Sequence, residues 1–342
     1  MKTVYISRNY KKINSAGGKA RTDVEIILKE YGFQNIGLEQ TNVKNNVFDF
    51  IINLIGIFKA LISMPKNDIL FLQYPIKKYY TLICKVAHIK NTKVITLIHD
   101  LGSFRRKKLN IEQEISRLNH SDCLIPANDN MICWLKENGY RKPMIPQMVW
   151  DYLSEAKNSS TDEKKEQFII NYIGSLSKKK NSFLYEYERF ISFYDFHLYG
   201  SDFNISKIKQ HTNILWKGFK SSEELISSIK GDWGLVWDGD SIYTCSGDFG
   251  SYLQYNNPHK MSLYLRCHIP VIIWQKAGLT DFVKSNNIGI CIDSLEDLDK
   301  ELCNITNKQY LEMKNNVRIL SEKLAKGYFL RKAINEAITS IT

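Results

Sequence analysis

Trp233-Gly234-Leu235-Val236-Trp237-Asp238-Gly239-Asp240-Ser241 opens the stretch that decides the fold, and Ile269-Pro270-Val271-Ile272-Ile273-Trp274 closes it. Each holds a short unbroken apolar run, the pattern of a strand buried on both faces. Between them lie a polar loop with Gly247 and Gly250, the turn Asn256-Asn257-Pro258-His259-Lys260, and an apolar segment from Met261 to Cys267. Asn257 reads as a helix cap and Pro258 as the first helical residue, since a proline there gives up no needed N–H. Acids, small residues, a helix amino end and a lysine therefore converge on one strand edge. That is where open α/β sheets bind ligands, with anions at the helix start.

The same alternation extends outward. Toward the C-terminus come a helix at Leu279–Ser285, a strand at Ile288–Ile292, a helix at Leu295–Leu302 and then helical pattern alone. Upstream, Phe168–Ile173 is a strand ending in a Gly174-Ser175 turn, Phe196–Gly200 and Ile214–Trp216 are short strands, and Ser221–Ile229 is a helix with Glu223 and Glu224 in its first turn. The amino half repeats the theme. Its strands fall at Val4–Ile6, Ile36–Leu38, Asp68–Gln73, Lys93–Ile98 and Asp122–Pro126. A polar loop runs from Asn9 to Gly18, and a helix with Val24, Ile27 and Leu28 on one face begins near Lys19.

Between Tyr152 and Gln167 the composition turns polar, which marks a domain boundary. The expected architecture is α/β: two Rossmann-like, doubly wound parallel-sheet domains with a cleft between them and a C-terminal helical segment, the outline of a GT-B protein. The expected division is 1–150, a linker at 151–167, a second domain at 168–325, and a final helix at 326–342 to which a return to the first domain is open. Epimerases share this outline, so fold alone leaves function undecided.

Composition narrows the classes. With 342 residues, 44% hydrophobic and 24% charged, the chain has the core for two domains. Its seven cysteines are scattered without a C-x-x-C pair or a Cys/His cluster, which argues against a disulfide framework or a zinc site. The net charge of +11 suits a phosphorylated ligand or an anionic membrane. No nucleic-acid-binding signature accompanies it. The most apolar segment, Phe50 to Met64, falls short of the ~20 residues that span a bilayer. It is expected to be a core helix of the first domain rather than a helix lying on a membrane.

Neither G-x-G-x-x-G nor G-x-x-x-x-G-K-[ST] occurs, so dinucleotide and P-loop readings lose their support. Lys260 in a helix's first turn opposes the helix dipole, which points to an anionic partner such as a diphosphate; a solvated lysine is the plain alternative. Lys178, in the basic run after Gly174-Ser175, is the candidate for the diphosphate's other side. Gly17 and Gly18, followed by Lys19, would let backbone approach a substrate closely. His99 and Asp100 end an apolar strand, and Asp100 is the leading candidate for a general base, with His99 beside it. Asp238 and Asp240 suit donor hydroxyls. With lysines supplying positive charge, no metal requirement and no other cofactor are expected. Cys245 and Cys267 read as small buried residues.

The run from Gly234 to Ala277 resembles the bacterial β-1,6-galactofuranosyltransferases of O-antigen and capsule assembly. Their shared pattern stands here as Gly234–Ser241, Cys245-Ser246-Gly247, Asn256–Leu265 and Trp274-Gln275-Lys276-Ala277. Ala16–Arg21, Leu97–Asp100 and Gly174–Ser177 match further elements, with Gly18 in place of an aromatic residue. More distantly the chain is similar to the GT-B glucosyltransferases that extend sugars on streptococcal adhesins. That likeness implies diphosphate contacts at Lys178 and Lys260 and a uridine-stacking ring at Phe219. Gly174, Ser175, Asn257 and Ser262 complete the expected donor set, and Gly17, Gly18 and Lys19 the acceptor side.

The resemblance implies transfer of galactofuranose from UDP-galactofuranose, with inversion, to a lipid-linked glycan. The enzyme would work at the inner face of the cytoplasmic membrane, bound peripherally, with homo-oligomerisation left open. A UDP-glucose-dependent transferase acting on a glycan or glycosylated adhesin is the same-fold alternative. A two-lobed carbohydrate-binding protein is the non-enzymatic one; it would be expected to carry an export signal and no diphosphate lysine.

Overall fold

The computed structural model describes residues 2–11, 16–76, 79–104, 109–158, 168–208 and 213–342. The chain divides into two compact units, Met1–Asp151 with Gly327–Thr342, and Tyr152–Lys326.

The first unit runs β1 (Thr3–Tyr5), α1 (Ala16–Glu30), β2 (Gln34–Asn35), α2 (Asn46–Ser63), β3 (Ile69–Tyr74), α3 (Tyr80–Ile89), β4 (Lys93–Ile98), α4 (Ile111–Leu118), β5 (Cys123–Ile125) and α5 (Asp129–Glu137). Its sheet is parallel throughout, in the order β2-β1-β3-β4-β5. β3 is buried at all six positions and β4 at all but Lys93, as strands covered on both faces must be. Val24, Ile27 and Leu28 of α1 are buried, as their spacing predicts.

The second unit holds β6 (Phe168–Ile173), β7 (Tyr194–Tyr199), β8 (Ile214–Trp216), α6 (Ser222–Ser228), β9 (Trp233–Val236), α7 (Gly247–Gly250), α8 (His259–Arg266), β10 (Val271–Trp274), α9 (Thr280–Ser285), β11 (Gly289–Ile292), α10 (Leu298–Asn304) and α11 (Asn307–Ala325). Its six strands are parallel in the order β11-β10-β9-β6-β7-β8. The polar boundary segment belongs in part to this unit: Tyr152 N donates to Leu324 O, and Asn158 Nδ2 to Ile226 O and Cys267 O. The remainder of that segment, 159–167, lies outside the described residues.

The last helix, α12 (Tyr328–Thr339), packs in the first unit. Gly327 turns the chain there at φ +68°, and a Cβ on it would lie 2.7 Å from Ile27 Cγ1, so both conformation and space demand glycine. The Asp151 carboxylate accepts from Phe329 N (3.1 Å) and Leu330 N (2.7 Å), capping the helix from a distant segment.

Three expectations are corrected. Helix α1 begins at Ala16, so Gly17 and Gly18 lie in its first turn with Lys19 and not in the preceding loop. The loop after Ser241 contains a short helical turn, α7. The apolar helix is not a core helix: α2 buries only Gly56, Ile57 and Ala60, while Val47, Phe48, Ile51, Ile55, Phe58 and Ile62 face outward. Periodicity shows that a helix has an apolar face, but not what covers it.

Candidate active site

In the second sheet the strand order reverses between β6 and β9, because β7 and β8 continue to one side and β10 and β11 to the other. The carboxyl ends of β6 and β9 therefore frame a crevice, the usual ligand position in such sheets. Gly174 follows β6, Trp237 and Asp238 follow β9, and the start of α8 comes down beside them.

Tyr264 fixes that helix. Its hydroxyl lies 3.0 Å from Asn171 O and 3.2 Å from Leu235 O and accepts from Ile173 N (2.8 Å), so one α8 side chain ties both central strands. The ring covers Gly234 closely: a Cβ there would lie 2.3 Å from Tyr264 Cγ. Pro258 occupies the cap position of α8, not the first helical position, and makes no side-chain cap. Asn257 is buried beside it and Ser262 is buried one turn on.

Lys260 is held in that crevice. Its Nζ donates to Asp238 Oδ1 (2.8 Å), Tyr172 OH (3.0 Å) and Trp237 O (3.2 Å), and it sits 4.1 Å from the Tyr172 ring centre. Asp238 Oδ1 also accepts from Tyr172 OH (2.9 Å), while Oδ2 pairs with Lys180 Nζ at 3.2 Å. Burial acts to raise the Asp238 pKa, but Lys260, Lys180 and the Tyr172 hydrogen bond outweigh it and hold the carboxyl at about 2. Burial lowers Lys260 to about 8, against the pull of Asp238 and with the help of Lys180. Two cations thus share one carboxylate, which leaves the crevice with a positive excess suited to a diphosphate.

The lysine that reaches Asp238 from the basic run is Lys180; Lys178 is exposed. Asp238 engages these two lysines and Tyr172. Asp240 is exposed, with its carboxylate packed where a Cβ on Gly247 would stand. Asn181, fully buried, was not singled out from the sequence. It donates to Ser175 O (2.7 Å) and accepts from Gly239 N (3.2 Å), joining the two glycine turns. Gly174 stands at φ +149°, and a Cβ there would come within 3.8 Å of Lys260 Nζ. Ser175 Oγ lies 3.2 Å from Ser177 Oγ. Phe219, just after β8, is 68% exposed, leaving a ring face open for stacking.

The first unit has its own reversal, between β1 and β3, and a second polar cluster gathers there. Glu25 accepts from Ser7 Oγ (2.5 Å) and Tyr10 OH (2.6 Å). Burial raises its carboxyl to about 7, against those two hydrogen bonds. Gln73, at the end of β3, lies with Nε2 3.4 Å from both Tyr10 OH and Arg21 O, and its Oε1 is 2.7 Å from His99 Nε2. The His99 ring stacks on Trp150, centres 4.7 Å apart. The cluster thus connects His99 to the first turns of α1, where Lys19 Nζ pairs with Asp23 at 2.9 Å and Arg21 Nη1 donates to Gly17 O. Asp100 is half-buried beside His99. Gln73, Trp150 and Glu25 carried no signal in the sequence because their partners are remote along the chain.

Cys245 and Cys267 are free and buried, their thiols pushed up by burial. Among the described residues no group of three or more His, Cys, Asp or Glu side chains is placed to hold a metal ion.

Two Rossmann-like parallel-sheet domains, each with a polar cluster at its strand-order reversal, followed by C-terminal helices, give this chain the GT-B fold. Solved structures agree on the fold. They include HepE of Anabaena in complex with UDP (TM-score 0.61, 12% identity, 99% of this chain and 100% of that one). Another is the lipopolysaccharide outer core galactosyltransferase WaaB in its apo form (TM-score 0.63, 14% identity, all of both chains).

The chain belongs to the glucosyltransferase 3-like family: residues 3–149 match its N-terminal domain and 170–337 its C-terminal domain. It is 31% identical over 327 residues, 95% of each chain, to the β-1,6-galactofuranosyltransferase WbbI of Escherichia coli K12. It is 23% identical over 332 residues, 94% of each chain, to glucosyltransferase 3 of Streptococcus gordonii.

Proposed function

We propose that this glycosyltransferase moves galactofuranose from UDP-galactofuranose to a hydroxyl of a lipid-linked glycan in surface polysaccharide assembly, with inversion to a β-linkage. The observation that carries the donor assignment is the likeness to the E. coli galactofuranosyltransferase along 95% of both chains. What supports a nucleoside-diphosphate donor is the cluster of Lys260, Lys180 and Asp238 at the β6/β9 crevice. In this reading Phe219 stacks on the uracil, and Gly174, Ser175 and the start of α8 at Asn257 and Ser262 offer backbone and hydroxyl donors to the phosphates.

In the reaction, an acceptor hydroxyl attacks the anomeric carbon while the bond to the diphosphate oxygen breaks. The hydroxyl proton passes to a base, assigned here to Asp100 or His99 in the acceptor domain, beside Gly17, Gly18 and Lys19. The leaving UDP takes the bonding electron pair, and the lysines stabilise the growing charge on its phosphate oxygens. No metal ion is assigned to that task.

The enzyme is proposed to work at the cytoplasmic membrane face, where a lipid-linked acceptor resides. A second reading, glucose transfer from UDP-glucose, is favoured by the likeness to the streptococcal glucosyltransferase.

The deciding experiment incubates the protein with UDP-galactofuranose, UDP-galactopyranose or UDP-glucose and an alkyl glycoside acceptor, with and without EDTA. Transfer from UDP-galactofuranose alone, unchanged by EDTA, is expected. Transfer from UDP-glucose alone overturns the donor, and loss of turnover in EDTA overturns the metal-independent reading.

A further inference from the structure

Helix α2 carries an apolar face that the first unit leaves uncovered. Val47, Ile51, Ile55, Phe58 and Ile62 fall within an arc of about 80° at 100° per residue, with Phe48 at its border. Phe48 is 59% exposed, Phe58 57% and Ile62 80%. The opposite side is anchored: Gly56, Ile57 and Ala60 are buried, with Gly56 against Leu38. At the helix's C-terminal end Lys90 Nζ donates to Met64 O (2.8 Å), which brings the neighbouring Ile89 of α3, 81% exposed, to the same end. The helix is long and apolar enough to cross a bilayer, but its packing on α3 and Leu38 makes it a surface element.

Basic residues outnumber acids on and beside this helix. From Lys44 to Lys66 and along α3 to Lys90 the chain bears Lys44, Lys59, Lys66, Lys85 and Lys90 and a single acid, Asp49. Asp49 is already paired with Lys11 at 2.8 Å. Lys44, Lys59, Lys66 and Lys85 are exposed. A second copy meeting this face about a two-fold axis would bring lysines against lysines with few acids to answer them. A bilayer surface with anionic headgroups supplies both an apolar layer and the opposite charge.

We infer that α2 is a membrane-docking helix that lies in the interface of an anionic bilayer, with Val47, Ile51, Ile55, Phe58 and Ile62 among the acyl chains and the flanking lysines at the headgroups. At 18 residues it lays about 27 Å of helix along the surface. The purpose of this docking rests on the lipid-linked acceptor proposed above; its geometry rests on α2 alone.

Vesicle flotation of the full chain tests it, comparing neutral phosphatidylcholine vesicles with ones holding about 30 mol % phosphatidylglycerol. The chain is expected to float with the anionic vesicles and to be released by high salt. The double variants I55E/F58E and K59E/K66E should each cut the bound fraction about tenfold. Unchanged circular dichroism and thermal unfolding of the full chain serve as the folding control. No flotation of the unaltered chain, or equal flotation of I55E/F58E, overturns the inference. So does light scattering that finds a dimer converted to a monomer by I55E/F58E, which would make the face a subunit interface. Flotation needs no donor sugar, so a failed transfer assay leaves this result standing and the reverse holds equally.

Discussion

Lys260 and Asp238 form a nearly buried ion pair, 2.8 Å from Nζ to Oδ1, at the carboxyl edge where β6 and β9 part company. If the crevice takes a diphosphate as proposed, the pair explains why an acid stands in it. Asp238 also holds Lys180 and Tyr172, so it gathers positive charge at the crevice instead of repelling the ligand. Its neighbour Asp240 lies in the open.

The two acids should therefore respond differently to the same change. Asp238→Asn leaves two lysines without their carboxylate, and removing one partner from a buried pair costs roughly 3–5 kcal/mol. Asp240→Asn, at an exposed position, should cost less than about 0.5 kcal/mol. Urea unfolding of both variants measures this. Equal stability losses would mean that Asp238 does not organise the lysines.

Lys260 also sets a pH dependence. Burial holds its folded pKa near 8, below the ordinary 10.5. A diphosphate favours the ammonium form, so UDP affinity should be highest near pH 7 and fall as pH rises through 8, levelling off near the affinity of a variant without the lysine. Stability moves the other way. Between pH 8 and 10.5 the unfolded chain binds more protons at this residue than the folded one, so its contribution to stability rises with pH. Lys180 helps depress the Lys260 pKa, so Lys180→Met should shift the loss of UDP affinity to higher pH. Lys260→Ala should weaken UDP binding by about 2 kcal/mol or more and flatten the profile. Calorimetric titration with UDP from pH 6 to about 10 reads all three.

Much of this was legible in the residues. Apolar runs at Leu70, Ile95, Ile170 and Leu235 located central strands because strands buried on both faces need unbroken hydrophobicity. Lys260 was legible because a lysine opposes the dipole at a helix start. Lys180 was not distinguishable from Lys178, since a run of like charges does not reveal which member turns inward. Asn181, Gln73 and Trp150 were silent for another reason: each acts on a partner brought close only by the fold. The outward face of α2 escaped because an amphipathic pattern reads the same whether its apolar side meets a core or remains exposed.

Gly234 and Tyr264 test how α8 is positioned. A methyl group at Gly234 would lie 2.3 Å from Tyr264 Cγ, and that ring is fixed by its hydroxyl bonds to β6 and β9. Gly234→Ala should destabilise the second unit by roughly 1–3 kcal/mol, through the overpacking of a filled core. Tyr264→Phe removes the hydroxyl and leaves Ile173 N without its acceptor, at about 1–3 kcal/mol. Combined with Gly234→Ala it should give less than the sum, because both changes act on one ring. Thermal unfolding of the two single variants and the double variant supplies the cycle; strict additivity would separate the two residues.

In the first unit, His99 is aimed by its bond to Gln73 and by the Trp150 ring. If Asp100 or His99 takes the acceptor proton, its loss should slow transfer by about 100-fold or more and leave UDP affinity intact. Gln73→Leu removes the acceptor that orients the His99 ring but touches no substrate in this reading. It should lower kcat by a smaller factor, about tenfold, and should do so in the Asp100→Asn background only if His99 is the base. A pH profile of kcat/KM for each variant distinguishes positioning from chemistry. Loss of Gln73 should move the profile's acid limb if His99 carries the proton, and leave it in place if Asp100 does. Unchanged turnover in both Asp100→Asn and His99→Gln would place the base elsewhere. Glu25 would then be the first group to examine, because its carboxyl is held near 7 at the same strand-order reversal.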